Sequence, residues 1–113
     1  MTDPFLGTVI AERTLESGDR TVRVSIGMPR LYDTGPSYFC PIEIIGPITN
    51  TRKRAGGVDP VQALYLALQL IGTDLLFTPE RKAGQLSWLG QMDLGFPLPG
   101  TVEGLRNAIP ETP

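Results

Sequence analysis

The chain has 113 residues, which is the size of one ordinary domain. Ten Lys and Arg against twelve Asp and Glu give a net charge of -2, so the chain lacks the large basic excess typical of proteins dedicated to duplex DNA. Because the chain contains no histidine, a Ser-His-Asp triad, a Cys-His dyad and a histidine-ligated metal are excluded.

The first half of the chain predicts an antiparallel meander of three strands. Residues 6–15 are rich in strand formers, and after a turn at 16–19 the segment 20–26 alternates apolar and polar residues. Two such strands around a short glycine-containing turn indicate a hairpin. A third strand is predicted at 37–45, where Pro41 favours an edge or a bulge because it removes one donor of the ladder.

A long helix is the strongest local prediction. Asp59 is the expected N-cap, Pro60 takes the first helical position, and the helix continues to about Leu76. The spacing predicts a core stripe, made by Val61, Leu64, Leu68, Ile71 and Leu75. A second apolar flank is predicted at Ala63, Leu66, Ala67 and Leu70. Because a sheet covers only one side of a helix, we expect this flank to meet either the C-terminal segment or, by preference, a second copy of the chain in a homodimer.

The remainder of the chain predicts a short fourth strand at 85–89 and a tail rich in Gly and Pro from residue 90. Residues 101–108 are expected to form a short helix and 110–113 to fray. The predicted fold is therefore one α+β domain over residues 1–113, in the order β-β-β-α-β. In it, a three-stranded antiparallel meander packs on one long helix, and a short fourth strand and the tail follow.

These motifs together resemble a family of small bacterial single-domain proteins of unknown function. The resemblance covers roughly residues 10–99 and is carried by four segments: CPIEIIG at 40–46, GGVDPVQALYLAL at 56–68, SWLG at 87–90 and GFPLP at 95–99. It implies a bacterial protein with one domain, and it implies no activity or catalytic residue.

Three residues with reactive side chains are expected to have structural roles. Cys40 lies on the apolar face of its strand, and no histidine is present to activate its thiol. Glu43 is expected to face solvent or form a salt bridge, and Asp59 to cap the helix. A hydrolase or transferase built on these three residues is the least favoured hypothesis, so we expect a protein that is not an enzyme and uses no metal or cofactor.

The basic segment before the helix is a candidate anion site. Arg52, Lys53 and Arg54 are followed by Gly56 and Gly57, and a helix N-terminus with nearby cations and glycines favours bound anions. The spacing is not that of a Walker motif. The alternative is a solvated polar loop, whose replacement by alanine would change stability little.

Aromatic residues supply a second set of candidates. Trp88 and Phe96 form either a recognition surface or part of the core, and Tyr32 lies in a loop at 27–36 whose apolar residues need cover. We therefore expect Tyr32, Trp88 and Phe96, with the helix flank, to be possible interface residues.

The favoured function is a non-enzymatic protein-interaction or inhibitor-like module of the immunity or antitoxin type. Its partner would be another protein or a second copy of itself. The alternative is a small-anion or nucleic-acid binding domain that uses the basic segment, with nucleic acid possible but not favoured. One cysteine fits a reducing compartment, and the most apolar stretch, 58–77, is broken by charged residues, proline and glycine. The start of the chain lacks the basic residues of a signal peptide, so we expect a cytoplasmic protein without membrane contact.

Overall fold

Six strands and two helices follow one another along residues 3–100, the part of the chain that this computed structural model describes. The elements in order are β1 Val9–Ser17, β2 Arg20–Gly27, β3 Arg30–Leu31, β4 Tyr38–Ile45, β5 Asn50–Gly57, α1 Pro60–Leu76, α2 Pro79–Lys82 and β6 Leu86–Ser87. The predicted α+β class, with an antiparallel sheet and one main helix, is confirmed. The predicted helix at 101–108 and the frayed end at 110–113 lie outside the described residues.

All strand pairs are antiparallel. β4 pairs β5 on one side, and on the other side it pairs β2 and then β3, which continues along the same edge. β2 pairs β1, and β1 pairs β6. The alternation predicted for 20–26 is present, since Val22, Val24 and Ile26 are buried on the side of the sheet that faces α1.

The predicted order of elements lacks β3, β5 and α2, and the predicted place of Pro41 is wrong. The segment expected to be a polar loop is β5, which pairs with β4 over its full length. Pro41 lies in β4, which is a central strand and not an edge. Cys40 and Pro41 fall between the stretch of β4 paired with β2 and the stretch paired with β3. On that side of β4 the two residues have no strand partner, so the amide that proline lacks is tolerated there.

The N-terminus of α1 is capped as the sequence predicts. Asp59 Oδ1 accepts from Gln62 N at 2.8 Å, and Gln62 Oε1 accepts from Val58 N at 2.8 Å, so side chains satisfy amide groups at the start of the helix.

The predicted core stripe of α1 is correct at Ile71 and Leu75, which are fully buried, and wrong at Val61, which is 76% exposed. Leu64 and Leu68 are partly buried against the core, and near the start of the helix the small residues Ala63 and Ala67 face the sheet. The reason is a close approach between helix and sheet: a Cβ at Gly57 would lie 2.5 Å from Ala63 N. The buried positions of α1 are Ala63, Ala67, Ile71, Gly72, Leu75 and Leu76.

Two further segments complete the layers. On the helix side, residues 91–100 lie beside α1, with Leu94 and Phe96 buried. This packing needs a glycine on the helix, because a Cβ at Gly72 would lie 2.6 Å from Pro97 O. On the opposite, far face of the sheet, residues 3–7 form an N-terminal strap that buries Leu6. The sequence does not predict this strap.

Candidate functional site

The three basic residues of β5 project to opposite faces of the sheet. In the register of β5, Arg52 and Arg54 lie across from Glu43 and Pro41 on the far face, and Lys53 lies on the helix side. Lys53 Nζ forms an ion pair with Asp74 Oδ2 of α1 at 2.9 Å. The structure therefore does not bring the three cations together at one site.

Arg52 joins β4, β5 and the strap. Its Nε donates to Glu43 Oε2 at 2.7 Å, and its Nη2 lies 3.3 Å from Asp3 Oδ2. Hydrogen bonds from the amides of Leu6 and Phe5 lower the pKa of the Asp3 carboxyl, and Arg52 lowers it further. Glu43 is a salt-bridged residue of the far face, and both carboxylates serve to hold the strap in place.

Arg54 belongs instead to a cluster that we call the arginine groove, formed by Arg30, Tyr32, Phe39 and Arg54. The guanidinium carbons of Arg30 and Arg54 lie 4.8 and 4.6 Å from the centroid of the Phe39 ring. The Tyr32 ring lies 4.8 Å from the same centroid. Phe39 itself is buried, so the two cations are the accessible part of the cluster.

The two predicted glycines have separate packing roles. Gly56 lies next to the arginine groove, where a Cβ would come to 3.3 Å from the Tyr32 hydroxyl oxygen. Gly57 admits α1 to the sheet, as described above. The side chains of Asp59 and Gln62 already accept hydrogen bonds from amides at the start of α1. The helix N-terminus and the cations of β5 therefore do not form one anion site.

The residues predicted for the helix flank separate into two groups. Ala63 and Ala67 are fully buried against the sheet, so they are inside the domain and not on a free surface. Leu70 is half-buried and Leu66 is 36% exposed.

An exposed apolar strip lies at the start of α1 and just before it. Val61 and Tyr65 are four residues apart on α1 and are therefore neighbours on its surface, and Val58 lies two residues before the helix. All three side chains are more than half exposed, and we call these three residues the helix ridge. Val61 was expected to be in the core.

Trp88 and Phe96 meet around an arginine that the sequence does not single out. The guanidinium carbon of Arg13 lies 3.8 Å from the centroid of the Trp88 ring and 4.8 Å from that of Phe96. Arg13 Nη1 also donates to Leu94 O at 3.1 Å. Phe96 is buried and Trp88 half-buried, which favours a packing role for both aromatic residues.

The remaining reactive groups are held in the interior. Cys40 is fully buried with its Sγ 3.3 Å from Gly27 O, and burial raises the pKa of its thiol to about 11. A thiol in this state is a poor nucleophile at neutral pH. Among residues 3–100, no three His, Cys, Asp or Glu side chains are grouped closely enough to hold a metal ion.

Glu80 is a buried carboxylate that sequence reasoning missed. It lies at the start of α2 and accepts hydrogen bonds from Ile48 N at 2.9 Å, Thr49 N at 3.0 Å and Thr49 Oγ1 at 2.6 Å. Burial opposes ionisation of Glu80, but the hydrogen bonds from Thr49 and Ile48 outweigh it and lower the pKa. Glu80 therefore anchors the turn between β4 and β5.

No helix within residues 3–100 is long and apolar enough to cross a membrane.

Comparison with known proteins places the chain in a family. No curated protein and no solved structure matches it. One family matches, a domain of unknown function designated DUF6968, over residues 11–98. This range includes all six strands except the first residues of β1, both helices and the segment beside α1. The expected membership in a family of unknown function is thus confirmed, and the chain belongs to the DUF6968 family.

Proposed function

We propose that this protein is a non-enzymatic protein-interaction module that acts through the helix ridge. The observation that carries the proposal is the exposure of Val61 and Tyr65 on α1 and of Val58 just before it. Clustered apolar and aromatic side chains are typical of the centre of protein interfaces. The burial of Cys40 and its raised thiol pKa favour binding over thiol chemistry.

The partner we propose is a second copy of the chain. A helix that carries its apolar strip along one side can pair with its own copy about a two-fold axis, so that Val61 of one copy meets Tyr65 of the other. Ala63, Ala67 and Gly72 are not available for this contact, because Ala63 and Ala67 are buried against the sheet and Gly72 contacts residues 96–98. If the partner is instead a different protein, we propose that this protein is inhibitor-like, of the immunity or antitoxin type, and acts in the cytoplasm of a bacterial cell.

Light scattering after size exclusion, at micromolar protein, tests the dimer. We expect twice the mass of one chain for the unmodified protein and a folded monomer for Val61→Asp. The acidic residue would lie near the N-terminus of α1, where the helix dipole favours it, so the variant should keep its fold. Ile48→Asp is the matched control, since Ile48 is 69% exposed in the turn between β4 and β5 and should leave the dimer intact. A single-chain mass for the unmodified protein at all concentrations would show that the dimer does not exist.

The alternative function, binding of a small anion or nucleic acid by residues 52–57, is supported only at Arg54. Arg52 is neutralised by Glu43 and Asp3, and Lys53 by Asp74. Arg54 forms no ion pair with the described residues and lies beside Arg30.

A further inference from the structure

The arginine groove is a concave surface of a size that suits a small ligand. Its volume is about 430 Å³, within the range of small-molecule sites. The base of the groove is the buried Phe39, and the walls come from β3, the loop that follows it, and β5. The lining residues are Arg30, Leu31, Tyr32, Asp33, Thr34, Phe39 and Arg54.

The electrostatics of the groove favour an anion. Neither Arg30 nor Arg54 forms an ion pair within residues 3–100. Their guanidinium carbons lie 4.8 and 4.6 Å from the centroid of the Phe39 ring, and both side chains line the same groove. Two like charges beside one groove repel each other. An anion between them would relieve the repulsion.

The two guanidinium groups are held in place before any ligand arrives. Both stack on Phe39, and Arg30 Nη2 also donates to Phe5 O of the strap at 2.8 Å. Arg54 is further placed 5.5 Å from the centroid of Phe5. Side chains that are already ordered lose less conformational freedom on binding, and a planar guanidinium can give two parallel hydrogen bonds to one oxyanion.

A phosphate monoester fits this arrangement better than a carboxylate. It carries between one and two negative charges at neutral pH and three acceptor oxygens, which suffice for two guanidinium groups and a hydroxyl. The Tyr32 hydroxyl lies at the same groove and can donate to the third oxygen. Asp33 is the one carboxylate in the lining, and it can accept a hydrogen bond from a ligand hydroxyl.

We propose that the arginine groove binds the phosphate group of a small phosphorylated ligand through Arg30 and Arg54, with the Tyr32 hydroxyl as a further donor. The proposal is independent of the protein-interaction function, because the groove lies on the far face of the sheet and the helix ridge lies on α1. Sequence reasoning could not find the site, since Arg30 and Arg54 come from different strands and meet only across β4.

The experiment titrates the ¹⁵N-labelled protein with inorganic phosphate, with AMP and with adenosine, and follows the backbone amides by NMR. We expect phosphate and AMP, but not adenosine, to shift the amides of Tyr32 and Gly56. Sodium acetate at the same ionic strength is the control: it should shift these amides less than phosphate does if the groove recognises phosphate and does not attract every anion equally.

Arg54→Gln is the deciding variant, because the Arg54 side chain is exposed and forms no hydrogen bond with the described residues, so the fold should survive its loss. We expect phosphate to bind it about tenfold more weakly. Arg20→Gln removes the same charge at the opposite end of the sheet and should bind as the unmodified protein does. Tyr32→Phe removes the hydroxyl alone and should weaken binding by a smaller factor.

The proposal fails if neither phosphate nor AMP shifts any amide at about 10 mM, or if acetate causes the same shifts as phosphate. It also fails if Arg54→Gln binds phosphate as tightly as the unmodified protein, or if Arg20→Gln weakens binding as much as Arg54→Gln does.

Discussion

Removal of the buried Glu80 carboxylate should be among the most costly single changes at a polar residue of this protein. Glu80 is 2% exposed and accepts three hydrogen bonds, two of them from backbone amides of the turn between β4 and β5. In Glu80→Ala the buried Thr49 amide loses its partner, at a cost of about 1–3 kcal/mol, and the more accessible Ile48 amide loses less. We therefore expect a loss of about 3 kcal/mol in the free energy of unfolding, or a fall in Tm of about 10–15 °C for a domain of this size.

Urea and thermal unfolding measure this loss, and two other variants calibrate it. Thr49→Val removes the hydroxyl bond but keeps both amides paired, so it should cost about 1 kcal/mol. Asp33→Ala removes an exposed carboxylate and should change stability by less than about 0.5 kcal/mol. A loss below 1 kcal/mol in Glu80→Ala would refute the view that this carboxylate anchors the turn.

The pH dependence gives a second check on Glu80. Because its pKa is lowered in the folded state, its contribution is present above the pKa of the unfolded chain and is lost as the pH falls through the folded value. The Tm difference between the unmodified protein and Glu80→Gln should therefore narrow as the pH falls below about 4.3. A difference that stays constant under acid conditions would contradict this reasoning.

Further experiments test other parts of the structure. Cys40 of the native protein should react slowly with a thiol reagent at neutral pH, because the thiol is buried and its pKa is raised to about 11. Rapid labelling would show that the thiol is accessible. Gly72→Ala should destabilise the protein by about 1–3 kcal/mol despite the better helix propensity of alanine, since the new Cβ would meet the carbonyl oxygen of Pro97 and the side chain of Leu98. An increase in Tm would show that this segment moves to make room. Arg52→Ala should cost about 1–3 kcal/mol because it leaves the buried carboxylate of Glu43 without its partner. Lys53→Ala should cost less than about 1 kcal/mol, because the carboxylate of its partner Asp74 is more accessible to water. Equal losses in chemical denaturation would show that the burial of Glu43 does not matter.

The sequence predicts those elements whose signal is local. The α1 cap depends on Asp59, Pro60 and Gln62, which are neighbours in the chain, and the β1–β2 hairpin depends on alternation around one turn. Local chemistry sets both features, so both predictions hold in the structure.

Features that depend on distant contacts were not predictable. β5 contains Arg-Lys-Arg-Ala-Gly-Gly, which has no strand propensity, and it forms because β4 offers a full row of backbone partners. The packed side of α1 was predicted at Ile71 and Leu75 but not at Val61, because apolar residues surround most of the helix and periodicity gives little contrast. The close approach at Gly57 decides the orientation in favour of Ala63 and Ala67.

The position of β5 has a consequence for how copies of this protein can meet. Among the described strands β5 pairs only with β4, so eight residues of backbone border the outside of the sheet. Such a border can pair with an edge strand of another molecule and extend the sheet, which is a route to aggregation. Arg52, Lys53 and Arg54 lie in the middle of this border, and long charged side chains on an edge strand hinder such pairing. By this principle the basic run of β5 opposes edge-to-edge pairing between copies of the protein.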